Sequence, residues 1–205
     1  MPPRETAAPK DKHETILAAA KQLFGQYGYR RTSIDDIAQE AHIAKGTVYL
    51  YFKSKEEIFR ALCQQLLDTV LAATEEACRT STPVEQQLRR IVAAKFDYLF
   101  ALVYDSAHVR ELIDAKNQLS ADIFSQADRR YLRLLGNVIA NAVARGELNL
   151  ARVGMEPEAV AELLVRSAAG NELYGSTLPT PAAMRKRLDA LVRVFVAALD
   201  GTIVH

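Results

Sequence analysis

The sequence predicts an all-α protein, and three observations carry that expectation. Apolar residues recur at helical spacing through almost every segment of the 205 residues. Glycine and proline fall between these segments. No segment shows the two-residue alternation of a half-buried strand. The composition, 49% hydrophobic and 25% charged, is ordinary for a globular protein.

Nine helices follow in order. Ile16, Leu17, Ala20, Leu23 and Phe24 form the apolar face of the first, which is expected to stop at Gly25-Gln-Tyr-Gly28. Ser33, with Asp36 three residues on, caps a short second helix whose face is Ile34, Ile37, Ala38 and Ala41. The turn His42-Ile43-Ala44 leads into a third helix, Lys45 to Phe52. Ser54 and Glu57 form a capping box for a fourth, which runs through Ile58, Leu62, Leu66 and Val70 towards Cys78. Thr82-Pro83-Val84-Glu85 reads as another box, with proline in the first turn, opening a fifth helix to about Tyr104. A sixth is expected over Ala107–Lys116 and a seventh from Ala121 to Arg145, ended by Gly146. Pro157 opens the eighth, to about Tyr174, and Thr180-Pro181 the ninth, to Gly201.

Several function classes find no support. The net charge is +1, with ten basic and eight acidic residues in 1–60 against sixteen and seventeen in the remainder. That asymmetry is too small to announce a nucleic-acid partner. No apolar run approaches the roughly 20 residues of a membrane span. Residues 1–10 carry no apolar stretch of a secretion signal and read as a disordered tail, which points to a cytoplasmic protein. Cys63 and Cys78 fall on one helix, roughly 22 Å apart and beyond disulfide reach, so they read as small buried hydrophobes. His13, His42, His108 and His205 are scattered, with no metal-ligand spacing around them. No phosphate loop, nucleophile elbow or paired-carboxylate pattern suggests an enzyme, and no cofactor or metal is expected.

The informative stretch is Thr32 to Glu57. Two short helices joined by a three-residue turn form a helix-turn-helix, whose second helix can lie in a DNA major groove. At about 100° per residue, Val48 and Phe52 share the anchoring side of the third helix. Gly46, Thr47, Leu50 and Tyr51 point away, with Lys45 and Tyr49 at the flank. Two tyrosines and a leucine facing outward in eight residues do not suit an ordinary solvated helix. Lys55 lies in the first turn of the fourth helix, where a cation opposes the helix dipole. A phosphate held by that N-terminus and by Lys55 would explain it; a solvated surface lysine would also.

The run Ala44–Glu57 (AKGTVYLYFKSKEE) resembles the recognition helix and following helix start of the tetracycline-repressor (TetR/AcrR) family. Ala19–Tyr29 (AAKQLFGQYGY) and Thr32–Ala38 (TSIDDIA) are similar to the same family, and the specific likeness covers roughly residues 12–60. It implies a nine-helix TetR-like architecture: a tail over 1–10, a helix-turn-helix domain over 11–54, and a ligand-binding and dimerisation domain over 55–205. It also implies DNA contacts from Thr32, Lys45, Gly46, Thr47, Tyr49, Leu50, Tyr51 and Lys55. The expected protein is a homodimeric repressor that binds a palindromic double-stranded operator and is released by an unknown small-molecule effector. The alternatives are a ligand-dependent activator and a helical adaptor without DNA binding. Three residues depart from the family pattern. His42 replaces glycine in the turn, where it must tolerate a left-handed backbone. Ala44 replaces serine and cannot cap the third helix, which weakens that start by about 1 kcal/mol. Leu50 replaces an aromatic; it donates no hydrogen bond but can pack on a thymine methyl.

The family's last two helices pair across a two-fold axis. Met184, Leu188, Leu191, Val192, Phe195 and Leu199 form an apolar stripe on the last helix that suits this role, together with Tyr174. The same stripe could also serve an intramolecular core. For the effector, polar groups on apolar faces are the candidates, because burial demands a partner. Lys95, Asp128, Ser167 and Asn171 meet that condition, with Phe96, Phe100, Tyr104 and Tyr131 as candidate walls. Lys95 and Asp128 are expected to meet in the domain interior, or Lys95 to meet an anionic effector. Otherwise Lys95 snorkels to solvent.

Overall fold

The structure, a computed structural model, describes residues 11–103, 108–173 and 180–200, with side chains throughout save 98–103, 109 and 170–173. Among the described residues there are nine α-helices: α1 (Lys12–Tyr27), α2 (Ile34–Glu40), α3 (Lys45–Tyr51), α4 (Lys55–Arg79), α5 (Val84–Val103), α6 (Val109–Leu119), α7 (Ala121–Ala144), α8 (Pro157–Leu173) and α9 (Pro181–Leu199). The architecture is all-α. Two features escaped the sequence reading, a single 3-10 turn at Leu150–Arg152 and one antiparallel bridge between Leu148 and Asp200.

Several boundaries differ for local reasons. Gly25 stays inside α1, which ends instead at Gly28, where φ is +85° and the N–H closes on the Phe24 carbonyl. Gly136 also lies inside a helix: a Cβ there would meet Glu158 Cγ of α8 at 3.2 Å, so the glycine permits a close α7–α8 approach. The expected box at the start of α5 does not form. Glu85 pairs with Arg89 one turn ahead, and the Val84 N–H donates to Glu147 Oε2 at 2.7 Å instead. This bond, more than Arg145, holds the Glu147 carboxyl below its ordinary range. At α4, Ser54 accepts from the Glu57 N–H as expected, but Glu57 reaches back to the Lys53 N–H rather than that of Ser54.

The chain divides into two compact units, residues 1–65 with 105–123, and residues 66–104 with 124–205. The first is built on Ile16, Leu17, Ala20, Leu23 and Phe24 of α1, with Ile37, Val48, Phe52, Ile58, Phe59 and Leu112 also buried. Phe24, Tyr29 and Phe59 meet in tilted and edge-to-face contacts with centroids 5.1–5.8 Å apart. The second unit buries Leu88, Ile91, Val92 and Phe96 of α5, Leu135 and Ile139 of α7, Val160 and Leu164 of α8, and Met184, Leu188 and Val192 of α9. In it α9 packs on α5 and α8. The first unit ends at Gln65, within α4, and takes in residues 109–119 of α6; the functional boundary expected from the sequence lies at 54/55.

Candidate nucleic-acid interface

Ser33 sets the start of α2. Its hydroxyl accepts from the Asp36 N–H at 3.2 Å, and its own N–H donates to Asp36 Oδ2 at 2.8 Å. The Ser33 hydroxyl also lies 2.7 Å from Asp36 Oδ2; that hydrogen bond first, and the one from the Ser33 N–H second, hold the Asp36 carboxyl below its usual range. The chain then turns through His42, whose φ of 54° places it alone among described non-glycine residues in the left-handed region. The Ile43 N–H donates to the Ala38 carbonyl at 3.0 Å and closes the turn. Ala44 takes the N-cap position of α3 without a side-chain bond, as its methyl requires.

The anchoring face of α3 is Val48, followed by Phe52 at its C-cap; both are buried. The other faces are open. Leu50 is 83% exposed, and Tyr49 and Tyr51 are exposed beside it. Lys45 and Gly46 are exposed and Thr47 is half-buried. A Cβ built on Gly46 meets nothing within 4 Å, and its φ is not positive. Among the described residues nothing therefore requires glycine here, although it costs a helix about 1 kcal/mol relative to alanine. The Lys45 ammonium sits 2.9 Å from Asp35 Oδ2, which ties α3 to the first turn of α2 and raises the lysine pKa.

Two expected contact residues are placed otherwise. Lys55 does not point outward at a phosphate. Its Nζ donates to the carbonyls of Tyr29 (2.8 Å), Thr32 (2.7 Å) and Arg30 (3.3 Å), and lies 4.4 Å from the Tyr29 ring centroid. Desolvation there lowers its pKa, while Glu111 and Asp36 act to raise it. The cation opposing the α4 dipole thus serves three loop carbonyls that lack helical partners. Thr32 is buried, and its hydroxyl donates to the Gly28 carbonyl at 2.8 Å. Both residues shape the 28–32 turn. Conversely, Arg30 and Arg31 before α2 and Lys53 after α3 are exposed cations that the sequence reading passed over. The Arg30-Arg31 pair directly before the Thr32-Ser33 start could have signalled them.

Residues 16–62, which hold most of α1, α2, α3 and the start of α4, match the family described as bacterial regulatory proteins, tetR family. The chain is a tetR-family transcriptional regulator. It is 31% identical over 115 residues to the HTH-type transcriptional activator FasR of Mycolicibacterium smegmatis, covering 53% of this chain and 52% of FasR. It is 26% identical over 140 residues to the fatty acid metabolism regulator protein of Bacillus subtilis, covering 68% of this chain and 72% of that one. The fold is also that of SmeT, the repressor of the Stenotrophomonas maltophilia multidrug efflux pump SmeDEF, at a TM-score of 0.67 and 20% identity over 95% of this chain and 94% of SmeT.

In the second unit of this tetR-family regulator, the candidate effector residues are differently placed. Lys95 and Asp128 do meet, at 3.0 Å, but at the edge of the unit: their side chains are 18% and 56% exposed. Lys95 Nζ also lies 4.6 Å from the Tyr131 ring centroid. Tyr131 is buried and donates to the Ile91 carbonyl at 3.2 Å; burial raises its pKa strongly. Phe96 is buried and Ser167 half-buried. The side chains of Phe100, Tyr104, Asn171 and Tyr174 lie outside the described residues. Leu88, Ile139, Leu148, Val160, Leu164, Phe195, Val196 and Leu199 line an apolar seam too narrow for water.

The expected dimer stripe is corrected in part. Met184, Leu188, Val192 and Leu199 are buried within the unit, and α9 packs on α5 and α8. Leu191 and Phe195 are half-buried. The exposed apolar surface lies one position round, on Val194 (68% exposed) of α9 and Leu163 (46%) of α8. Exposed Ala159 on α8 and Ala190, Ala197 and Ala198 on α9 accompany them.

Proposed function

We propose that this regulator is a homodimeric repressor. It reads a pseudo-palindromic operator with the outward face of α3 and releases it when the second unit binds a small molecule. The observation that carries the reading is Gly46, Tyr49, Leu50 and Tyr51 standing exposed on a helix anchored by buried Val48 and Phe52. A large apolar side chain held in water on a short helix suits a groove more than solvent. Thr47 and Lys45 border the same face. The surface of Leu163, Val194 and the alanines of α8 and α9 supports a two-fold contact between copies. One short recognition helix reads too few base pairs for specificity, so a dimer with half-sites one helical turn apart is the economical arrangement. The protein acts in the cytoplasm, where an operator is available. Among the described residues no helix is long and apolar enough to cross a membrane.

The effector side is less built. Lys95 is engaged by Asp128 and Tyr131, so an anionic effector reaching it must displace the Asp128 carboxylate. Fatty-acyl compounds are the first effectors to test, because one relative is named for fatty acid metabolism. Activation in place of repression is the second reading, favoured by the likeness to the activator FasR. Selection of duplexes from a random library by the full-length protein tests the central reading. Two inverted half-sites about 10 base pairs apart are expected. Enrichment of no sequence, or of a single half-site, overturns it. A reporter driven from the selected duplex then separates repression from activation.

A further inference from the structure

The α1–α2 turn is gripped from two directions. From α4, Lys55 takes the carbonyls of Tyr29, Arg30 and Thr32. From the first turn of α6, Glu111 Oε1 accepts the Arg30 N–H at 2.5 Å, across 81 residues of sequence. Its other oxygen, Oε2, lies 2.6 Å from where a Cβ on Gly28 would stand, so the carboxylate occupies the space that this glycine leaves open. His108 Nδ1 lies 4.0 Å from the same oxygen. Glu111 is also the largest electrostatic support of the Lys55 charge. All these residues belong to the first compact unit.

We propose that Glu111 is a positioning residue for DNA reading: its carboxylate, accepting the Arg30 N–H, fixes the 28–32 turn and through it the placement of α2 and α3. The proposal rests on α3 being the reading helix. The physical case is one of matched groups. Lys55 satisfies carbonyls of the turn, and Glu111 satisfies a backbone N–H that neither α1 nor α2 takes up. With both in place, the turn carries acceptor and donor bonds of opposite charge, and neither cation nor carboxylate is left unpartnered. Ser33 starts α2 directly after this turn, and Lys45 of α3 is tied to Asp35 of α2. A loosened turn therefore tilts the reading helix without touching any group on its outward face.

The test compares Glu111→Gln with Glu111→Ala in the full-length protein, using a duplex selected by the wild type. Both variants remove the same negative charge, so any general gain in attraction to phosphates cancels between them. Glutamine keeps an acceptor for the Arg30 N–H and fills the space beside Gly28; alanine does neither. E111A is expected to bind about tenfold more weakly than E111Q, the worth of one hydrogen bond between neutral groups. The slope of log affinity against log salt should be the same for both, because no phosphate contact is lost. Amide exchange of Arg30 should quicken in E111A and stay slow in E111Q, with protection of α1 and α4 unchanged. Equal affinity of the two variants overturns the proposal, as does a lowered salt slope in E111A or a loss of protection throughout the unit. Failure of the wild type to select any duplex would instead overturn the DNA-reading assignment itself.

Discussion

Lys95 of α5 and Asp128 of α7 join their side chains at 3.0 Å, with the lysine mostly covered and the aspartate mostly open to water. A pair buried on both sides would lose about 3–5 kcal/mol when one partner is removed. Here water screens Asp128, and the value falls to about 1 kcal/mol or less. Asp128→Asn should therefore cost little in a denaturant titration, and a double-mutant cycle with Lys95→Met should give a coupling of the same small size. A coupling near 3 kcal/mol would contradict the placement of this pair at the edge of the unit.

Arg60 grips Asp122 with two 2.8 Å bonds and also donates to the Leu119 carbonyl. The guanidinium holds the Asp122 pKa at about 2, below its ordinary 3.8. A carboxylate whose pKa is lowered on folding adds stability that is complete above its unfolded value and is lost as pH falls through the folded one. Stability should decline between about pH 4 and pH 2, and Asp122→Asn should flatten part of that decline. Asp36 and Glu147, also lowered, act in the same direction. An unchanged acid limb in the variant would contradict the Arg60 assignment.

Leu50 projects from the middle of the candidate interface with no polar atom on its side chain. Its selective partner in a major groove is the thymine methyl. Replacing thymine by deoxyuridine in a selected duplex should weaken wild-type binding about threefold or more at one or more positions, as removal of a buried methyl does. Leu50→Ala should lose that discrimination. Equal binding of methylated and unmethylated duplexes by the wild type would place Leu50 away from thymine.

On α9, neighbouring apolar positions should behave in opposite ways. Leu188→Ala opens a cavity in the unit and should cost about 2–5 kcal/mol. Val194→Glu leaves the core intact and should give a soluble, folded monomer in sedimentation. A dimer of wild-type affinity carrying Val194→Glu would move the interface elsewhere.

The helices and the anchoring side of α3 were legible because they depend on local chemistry. Ser33 with Asp36 announces α2, and the spacing of Val48 and Phe52 fixes which side of α3 is buried. The errors arose where a side chain is claimed by a residue distant in sequence. Lys55 reads as a surface cation until Tyr29, Arg30 and Thr32 are folded beneath it. Glu85 reads as a box partner until Arg89, one turn on, takes its carboxylate. On α9, period alone marks Leu188 and Val192 as one apolar stripe but cannot say which neighbour covers it. Val194 looks incidental in the sequence because it stands one step off that stripe. Glu111 carries no local signal at all, since its partner lies 81 residues away.

The claim that the outward face of α3 meets DNA is tested most directly at Gly46. Among the described residues, nothing beyond its own stretch of helix comes within 4 Å of a Cβ built there, so Gly46→Ala should raise helix stability by up to about 1 kcal/mol. If the space is reserved for a duplex, the same methyl should obstruct it. The measurement is the affinity of full-length Gly46→Ala for a wild-type-selected duplex, alongside its melting temperature. The expected result is an unchanged or raised melting temperature with binding at least about tenfold weaker, the cost of one displaced contact region. Wild-type affinity in a variant at least as stable as the wild type would show that no duplex approaches this face.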